Sequence, residues 1–374
     1  MSKGTFLYVG GFILPDKNAA AHRVVGIAKV LRELDYSVTF INRTPDVQGS
    51  DVWTEKYYYG FKCHETGINS STKGTLDYLC NINNITKFVN SDVVGIIAYN
   101  YPALALSKLK KYCKRKGILC IGDITEWYGV KGRSIGYKIV KSLDTSFRMM
   151  FVNKRLSGLV VISDYLENYY KKYLPVVNIP PLVDKNDPKW AFEKKKHEGI
   201  WFIYAGSPSS EKERLDIIYN TIKKLSIGHD VKLIIVGITR EQFNQIYSIN
   251  IDSNSDEFAI FLGRIPHEKV IEEVGNADYS ILIRDKNLVN TAGFPTKFSE
   301  SISCGTAVIA NDTSSIARYF KFNKNGVIAD EKKLYEIINN IIENKMVFPV
   351  EREAFHYEKF VNQIKTFLET THIN

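Results

Sequence analysis

The sequence predicts an α/β protein of two doubly wound, Rossmann-like domains facing across a cleft. Three observations predict it. Short apolar runs alternate with amphipathic helical stretches, a proline-rich join interrupts that alternation near the middle, and 374 residues exceed what one ordinary core holds. An apolar content of 44% describes a folded globular chain. No run approaches the roughly eighteen apolar residues of a membrane span, and MSKGTFLYVGG is not followed by a secretory apolar core. The five cysteines (63, 80, 113, 120, 304) show no C-x-x-C pair and no zinc spacing, which points to a reducing cytoplasm and no structural metal.

The elements follow in order. Residues 5–9 read as a strand, Gly10-Gly11 as a turn, residues 19 to about 35 as a helix with apolar Val24, Val25, Ala28 and Leu31, and 37–42 as a strand. Strand, turn, helix and strand make one βαβ unit, hence a parallel sheet with a right-handed crossover. Strands at 92–99, 117–123 and 159–163 repeat the signal, with a basic amphipathic helix over 102–116 and a helix over 164–172 capped by Ser163. Residues 174–184 hold three prolines and read as a stiff interdomain connection. A second alternation has strands at 200–205, 232–237, 259–263, 279–283 and 306–310. Its helices fall at 213–225, 267–275, 297–304 and 335–344, with a long last helix over 351–369.

The stretch 290–311 invites chemistry. Gly293 and Pro295 force a turn into a short helix, whose free N–H groups and dipole make an anion site to which Lys297 adds charge. Glu300, one turn inside, is placed to accept hydrogen bonds from neutral hydroxyls, so a phosphate carrying a polyol satisfies both; a plain helix-to-strand loop with Glu300 on the surface is the alternative. Gly206 to Lys212 is a second small-residue turn. Gly10-Gly11 is a third, without the G-x-G-x-x-G spacing or the following acid of a dinucleotide site. Asp123, Glu126, Trp127 and Tyr128 follow a strand end and combine the acids and aromatic faces that bind sugars, or else they simply pack. His22 and Arg23, in the first helical turn, either face phosphates or form a surface pair; His64 and His267 read as structural. The acidic run at 252–256 reads as a polar loop.

Taken together in order and spacing, several segments resemble the GT-B nucleotide-sugar glycosyltransferases, specifically the retaining group that builds bacterial surface polysaccharides. They are Gly10-Gly11-Phe12 with Pro15 and Asn18 to Arg23, Ile179-Pro-Pro-Leu-Val-Asp184, Gly206 with Lys212, Phe261 to Glu268, and Gly293 to Glu300 followed by Gly305-Thr-Ala-Val-Ile. The resemblance covers most of the chain. It implies that Glu300 stands at the second glutamate of the E-x7-E motif and holds the donor ribose, and that Lys212 contacts the diphosphate. It also implies that the Gly293 and Phe294 backbone lies against sugar and phosphates, with Gly11 facing the diphosphate from the other domain. By the same likeness, residues 1–180 bind acceptor, 181–350 bind donor, and 351–374 cross back to the first domain. Two departures stand out: Ala292 replaces the first glutamate, and Ser207 replaces an arginine. Arg264, Arg284 and Lys297 are the candidates to restore that positive charge.

The resemblance implies a cytoplasmic, metal-independent transferase that uses no cofactor beyond a nucleoside-diphosphate sugar and glycosylates a glycan or lipid-linked saccharide, Asp123 and Glu126 being its candidate catalytic acids. A nucleotide-sugar epimerase of the same fold and a non-catalytic saccharide-binding or partner subunit are the alternatives. The net charge of +9 concentrates between Lys108 and Arg155, where thirteen Lys and Arg face three acids. There Ile139, Val140, Leu143, Phe147, Met150 and Phe151 share one helical face. The segment reads either as a core helix with a basic back or as a surface docking on an anionic inner membrane leaflet. Without an RNA-reading aromatic strand, nucleic acid is not expected as a partner.

Overall fold

The computed structural model describes residues 2–49, 52–127, 135–208, 213–249, 251 and 257–373. The chain divides into two compact units, residues 1–182 with 357–374, and residues 183–356.

The first unit is built on eight strands: β1 (Thr5–Gly10), β2 (Ser37–Thr44), β3 (Trp53–Tyr58), β4 (Phe61–Gly67), β5 (Val93–Tyr99), β6 (Leu119–Ile124), β7 (Gly158–Val161) and β8 (Val176–Asn178). Their order is β3-β4-β2-β1-β5-β6-β7-β8, and every pair is parallel except β3–β4. Parallel strands with helices on their faces are buried on both sides, which is why β1, β5 and β7 read as nearly unbroken apolar runs. The order reverses between β1 and β5, so the turn after β1 opens at a switch point of the kind where α/β sheets bind ligands. The helix Ala19–Glu33 starts where the Asn18 side chain accepts the Ala21 N–H at 2.8 Å.

Three strands of this unit are not legible in the sequence. β3 and β4 form a hairpin whose turn, Tyr59-Gly60, has φ of 53° and 80°. Such turns favour Asn-Gly or Asp-Gly, and a tyrosine at the first position erases the signal. β8 lies inside the stretch read as a connection, and it is only three residues long.

The second unit has β9 (Ile200–Ala205), β10 (Val231–Val236), β11 (Ala259–Gly263), β12 (Tyr279–Leu282), β13 (Ala307–Ala310) and β14 (Gly326–Ile328). All pairs are parallel, in the order β11-β10-β9-β12-β13-β14. This is the arrangement of two βαβαβ halves, with its switch point between β9 and β12.

The long last helix needs correction. Residues 351–356 are not helical; the helix is Val361–Thr370, preceded by a tight turn Tyr357–Phe360. The backbone around Phe355 is engaged elsewhere, its carbonyl accepting the Val183 N–H at 2.9 Å within the second unit. The apolar positions divide accordingly. Phe355 is buried in the second unit against Phe294, Phe298 and Tyr319, whereas Tyr357, Phe360, Ile364 and Phe367 belong to the core of the first. The unit boundaries therefore fall at 182/183 and 356/357 rather than at 180 and 350.

Candidate donor site and acceptor pocket

At the carboxyl ends of β9, β10 and β11 stand Gly206, Gly237 and Gly263. The Gly206 N–H donates to Val236 O at 2.9 Å and the Gly237 N–H to Gly263 O at 2.7 Å. Gly206 has φ of 150°, and a Cβ on Gly237 would lie 2.0 Å from the Gly206 carbonyl oxygen. The result is a strand-end shelf without side chains, beside the switch point, where a ligand can approach backbone.

Beyond β12 the chain makes a short helix, Leu288–Ala292, started by Asn287 whose side chain accepts the Asn290 N–H. Gly293 ends it, and its carbonyl accepts the Ser314 hydroxyl. Phe294 turns inward onto Phe298, Tyr319 and Phe355 with ring centroids about 6 Å apart. This apolar anchor fixes the turn from which the helix Thr296–Cys304 departs. Pro295 precedes that helix and no side chain caps it, so its first amides are left to a ligand or solvent.

Lys297 does not reach out from this helix. Its side chain passes under Gly206, where a Cβ would sit 2.0 Å from Lys297 Cε. Its ammonium donates to the Tyr204 hydroxyl at 2.8 Å and to the Glu213 carboxylate, which also accepts from Tyr204. Burial pushes the Glu213 carboxyl up, but the Lys297 ammonium and the Tyr204 hydroxyl outweigh it and leave the pKa below its ordinary value. Burial pulls the Lys297 ammonium down, and Glu213 offsets only part of that. Glu213 was not anticipated. It lies 84 residues before Lys297, next to Lys212, and nothing local marks it.

Glu300 and His267 come together, with Oε1 3.2 Å from Nε2 and both side chains partly open to solvent. The helix His267–Asn276 is held to the helix Thr296–Cys304 and its exit, where the Thr306 hydroxyl donates to Val274 O at 2.6 Å. His267, read as structural, thus stands on the carboxylate expected to bind ribose. Arg264 is exposed just after β11. Arg284 is buried after β12, its backbone bridged to Glu213 and hydrogen-bonded to Asn311. Lys212 lies outside the described residues, as does the run at 252–256. Among the described residues, no three His, Cys, Asp or Glu gather as a metal site would require.

In the first unit two expectations are corrected. Asp123 is fully buried, paired with Arg23 Nε at 2.8 Å and accepting the Tyr8 hydroxyl, so it is not an acid at a site mouth. Burial raises its pKa despite Arg23 and Tyr8. Arg23 is equally buried and donates to Ile179 O at 2.8 Å, so it ties the helix Ala19–Glu33 to β6 and to the proline-rich join instead of facing phosphates. His22 folds back on the loop, Nε2 2.8 Å from Asp16 O. Gly11 is exposed, and a Cβ there would make an ordinary contact with the Arg43 carbonyl oxygen at 3.8 Å. Glu126 is half-buried, and Trp127 packs edge-on against Tyr165 and Tyr169. Tyr128 lies outside the described residues.

An opening of about 880 Å³ lies instead at the carboxyl ends of β1, β2 and β4, under the helix Thr72–Cys80. Trp53, Arg43, Asp77 and Tyr78 line it, with the Arg43 guanidinium 4.1 Å over the Tyr78 ring. This pocket is not legible in the sequence, because its walls come from the β3–β4 hairpin and the helix Thr72–Cys80, whose patterns are weak.

Comparison with known proteins bears on the second unit first. Residues 186–359 match the model of the family described as glycosyl transferases group 1. No curated protein matches the chain in sequence. Among solved structures, sucrose-phosphate synthase from Thermosynechococcus elongatus is similar with a TM-score of 0.68 at 12% identity, covering 98% of each chain. Trehalose-6-phosphate synthase OtsA gives 0.71 at 8% identity, over 97% of this chain and 98% of that one. Anabaena HepE, solved with UDP and glucose, gives 0.66 at 13% identity, over 98% and 99%. Residues 186–359 are thus similar to the group 1 glycosyl transferases, and the chain as a whole has the GT-B fold.

Proposed function

We propose that the protein transfers a hexose from a nucleoside-diphosphate sugar to a glycan or lipid-linked saccharide, with retention and without a metal ion, as a peripheral protein at a cytoplasmic membrane face. The observation that carries the reading is the second unit's switch point. A bare glycine shelf, the uncapped start of the helix Thr296–Cys304 and the Glu300–His267 pair stand together there, inside the family-matched segment. Amides and cations suit a diphosphate, and a carboxylate one helical turn further suits ribose hydroxyls. HepE, of the same fold, is described with UDP and glucose, which favours a nucleoside diphosphate as the donor half.

In this reading the first amides of the helix Thr296–Cys304 take up leaving-group charge, so developing charge meets groups already oriented, while the Lys297–Glu213 pair holds the shelf from beneath. The pocket lined by Trp53, Asp77 and Tyr78 would hold the acceptor, since aromatic faces stack on sugar C–H surfaces and a carboxylate accepts from hydroxyls. One observation favours a second reading, nucleotide binding without transfer. Ala292, at the place of the first motif acid, is fully buried and offers the donor sugar no acceptor.

Thermal-shift titration with nucleoside diphosphates tests the donor site. Ligand should raise the melting temperature of the wild type, and Glu300→Ala should weaken affinity about tenfold with the unliganded fold intact. Unchanged affinity in that variant removes Glu300 from the site. Nucleoside diphosphate released only when a saccharide acceptor is added separates transfer from binding alone.

A further inference from the structure

We infer that the helix Ile135–Phe147 and the turn after it form a surface that lies flat on an anionic lipid bilayer. The inference specifies the peripheral part of the reading above and does not depend on the chemistry of transfer.

This helix is turned inside out. Its polar side faces the protein: Arg148 in the following wide turn Arg148–Val152 is fully buried, Thr145 is 3% exposed, and Asp144 accepts the Ala103 N–H at 2.7 Å. The opposite side carries Ile139, Val140, Leu143, Phe147, Met150 and Phe151, every one between 41% and 66% exposed. The core-helix alternative is therefore excluded, since the apolar stripe points away from the core. Six large side chains left about half open amount to roughly 500 Å², a size at which an apolar patch on a monomer marks an interaction site.

The surroundings select the partner. The helix Ala103–Lys116 packs beside this element and carries six Lys and Arg with no acid. Lys108, Lys111, Lys114, Arg115 and Lys116 on it are exposed. At the far end of the stripe Arg155, also exposed, donates to Phe151 O at 3.0 Å. An apolar face bordered by cations complements a surface that is both greasy and negative, namely acyl chains beneath anionic headgroups. A second copy of the chain would bring like-charged helices together, which disfavours that occupant. At about 20 Å the helix is too short to span a bilayer but suited to lying along its interface. No helix among the described residues is long and apolar enough to cross a membrane.

Co-flotation with zwitterionic vesicles and with vesicles containing anionic phospholipid tests the surface. The wild type should float only with the anionic vesicles. Leu143→Ser with Phe147→Ser should reduce partitioning at least tenfold, and Lys111→Glu with Lys114→Glu should abolish it at low salt. Because these side chains are exposed, both double variants should keep the melting temperature and any nucleotide-induced shift of the wild type, so a failed donor site and a failed membrane surface are told apart. Absence of salt-sensitive flotation by the wild type overturns the inference. So does a wild-type dimer in solution that Leu143→Ser with Phe147→Ser turns into a monomer.

Discussion

Glu213 shows how a side chain with no local signature can organise a site. Lys297 could have been a free cation at a helix start; instead its ammonium is held on Glu213 and Tyr204, beneath the glycine shelf. Removing one partner of a buried ion pair leaves the other uncompensated, so Glu213→Gln should cost about 3–5 kcal/mol at neutral pH. The carboxyl's folded pKa lies below its unfolded value, so the pair's stabilisation is fully present above about pH 4.5 and is lost as the pH falls through the folded value. The difference in melting temperature between wild type and Glu213→Gln should therefore shrink on acidification below about pH 4. A difference that stays constant from neutral to acid pH would show that the charge is not what matters. Asp123 illustrates the same blindness from the other side. Its type and strand-end position were legible, but its buried partner Arg23 lies 100 residues away, and only the fold reveals that the acid is spent on structure.

The strands that hold the site were the best-read parts of the sequence, because parallel strands buried on both faces leave unbroken apolar runs. Residues 200–205 were read at the bounds observed, and so was 259–263, an edge strand whose run is apolar although Ile260 and Leu262 are exposed. What escaped were elements whose signal is short or whose turn residue is atypical: β8 and β14 at three residues each, and the hairpin around Tyr59-Gly60. The strand-end glycines could be seen but not their reason. At Gly206 the reason is double, a φ of 150° and the Lys297 chain crossing where a Cβ would stand. Gly206→Ala should therefore destabilise by about 1–3 kcal/mol and weaken nucleoside-diphosphate affinity, read by thermal melts and ligand titration. Gly228→Ala, with nothing within 4 Å of the added carbon, should do neither. Equal effects at the two positions would refute the crossing as the cause.

Across the molecule, the two-unit organisation was foreseeable from the proline-rich join, whereas the return of the last segment came from family resemblance and needed its boundary moved. Phe367 shows how the returning helix completes the first unit's core: its ring occupies the space where a Cβ on Gly158 would lie, 2.7 Å from Cζ. Phe367→Ala should cost about 3–5 kcal/mol, lowering the urea midpoint, while nucleotide affinity in the absence of urea is kept. An unchanged midpoint would mean the segment merely rests on the surface.

That return also reverses the order of birth. A ribosome delivers residues 183–356 complete before Phe360, Ile364 and Phe367 emerge. The later half can close its core while the earlier half still waits, greasy side exposed, for its final helix. During synthesis the first-made domain is the last to mature, and holdase chaperones would find their longest-lived client there.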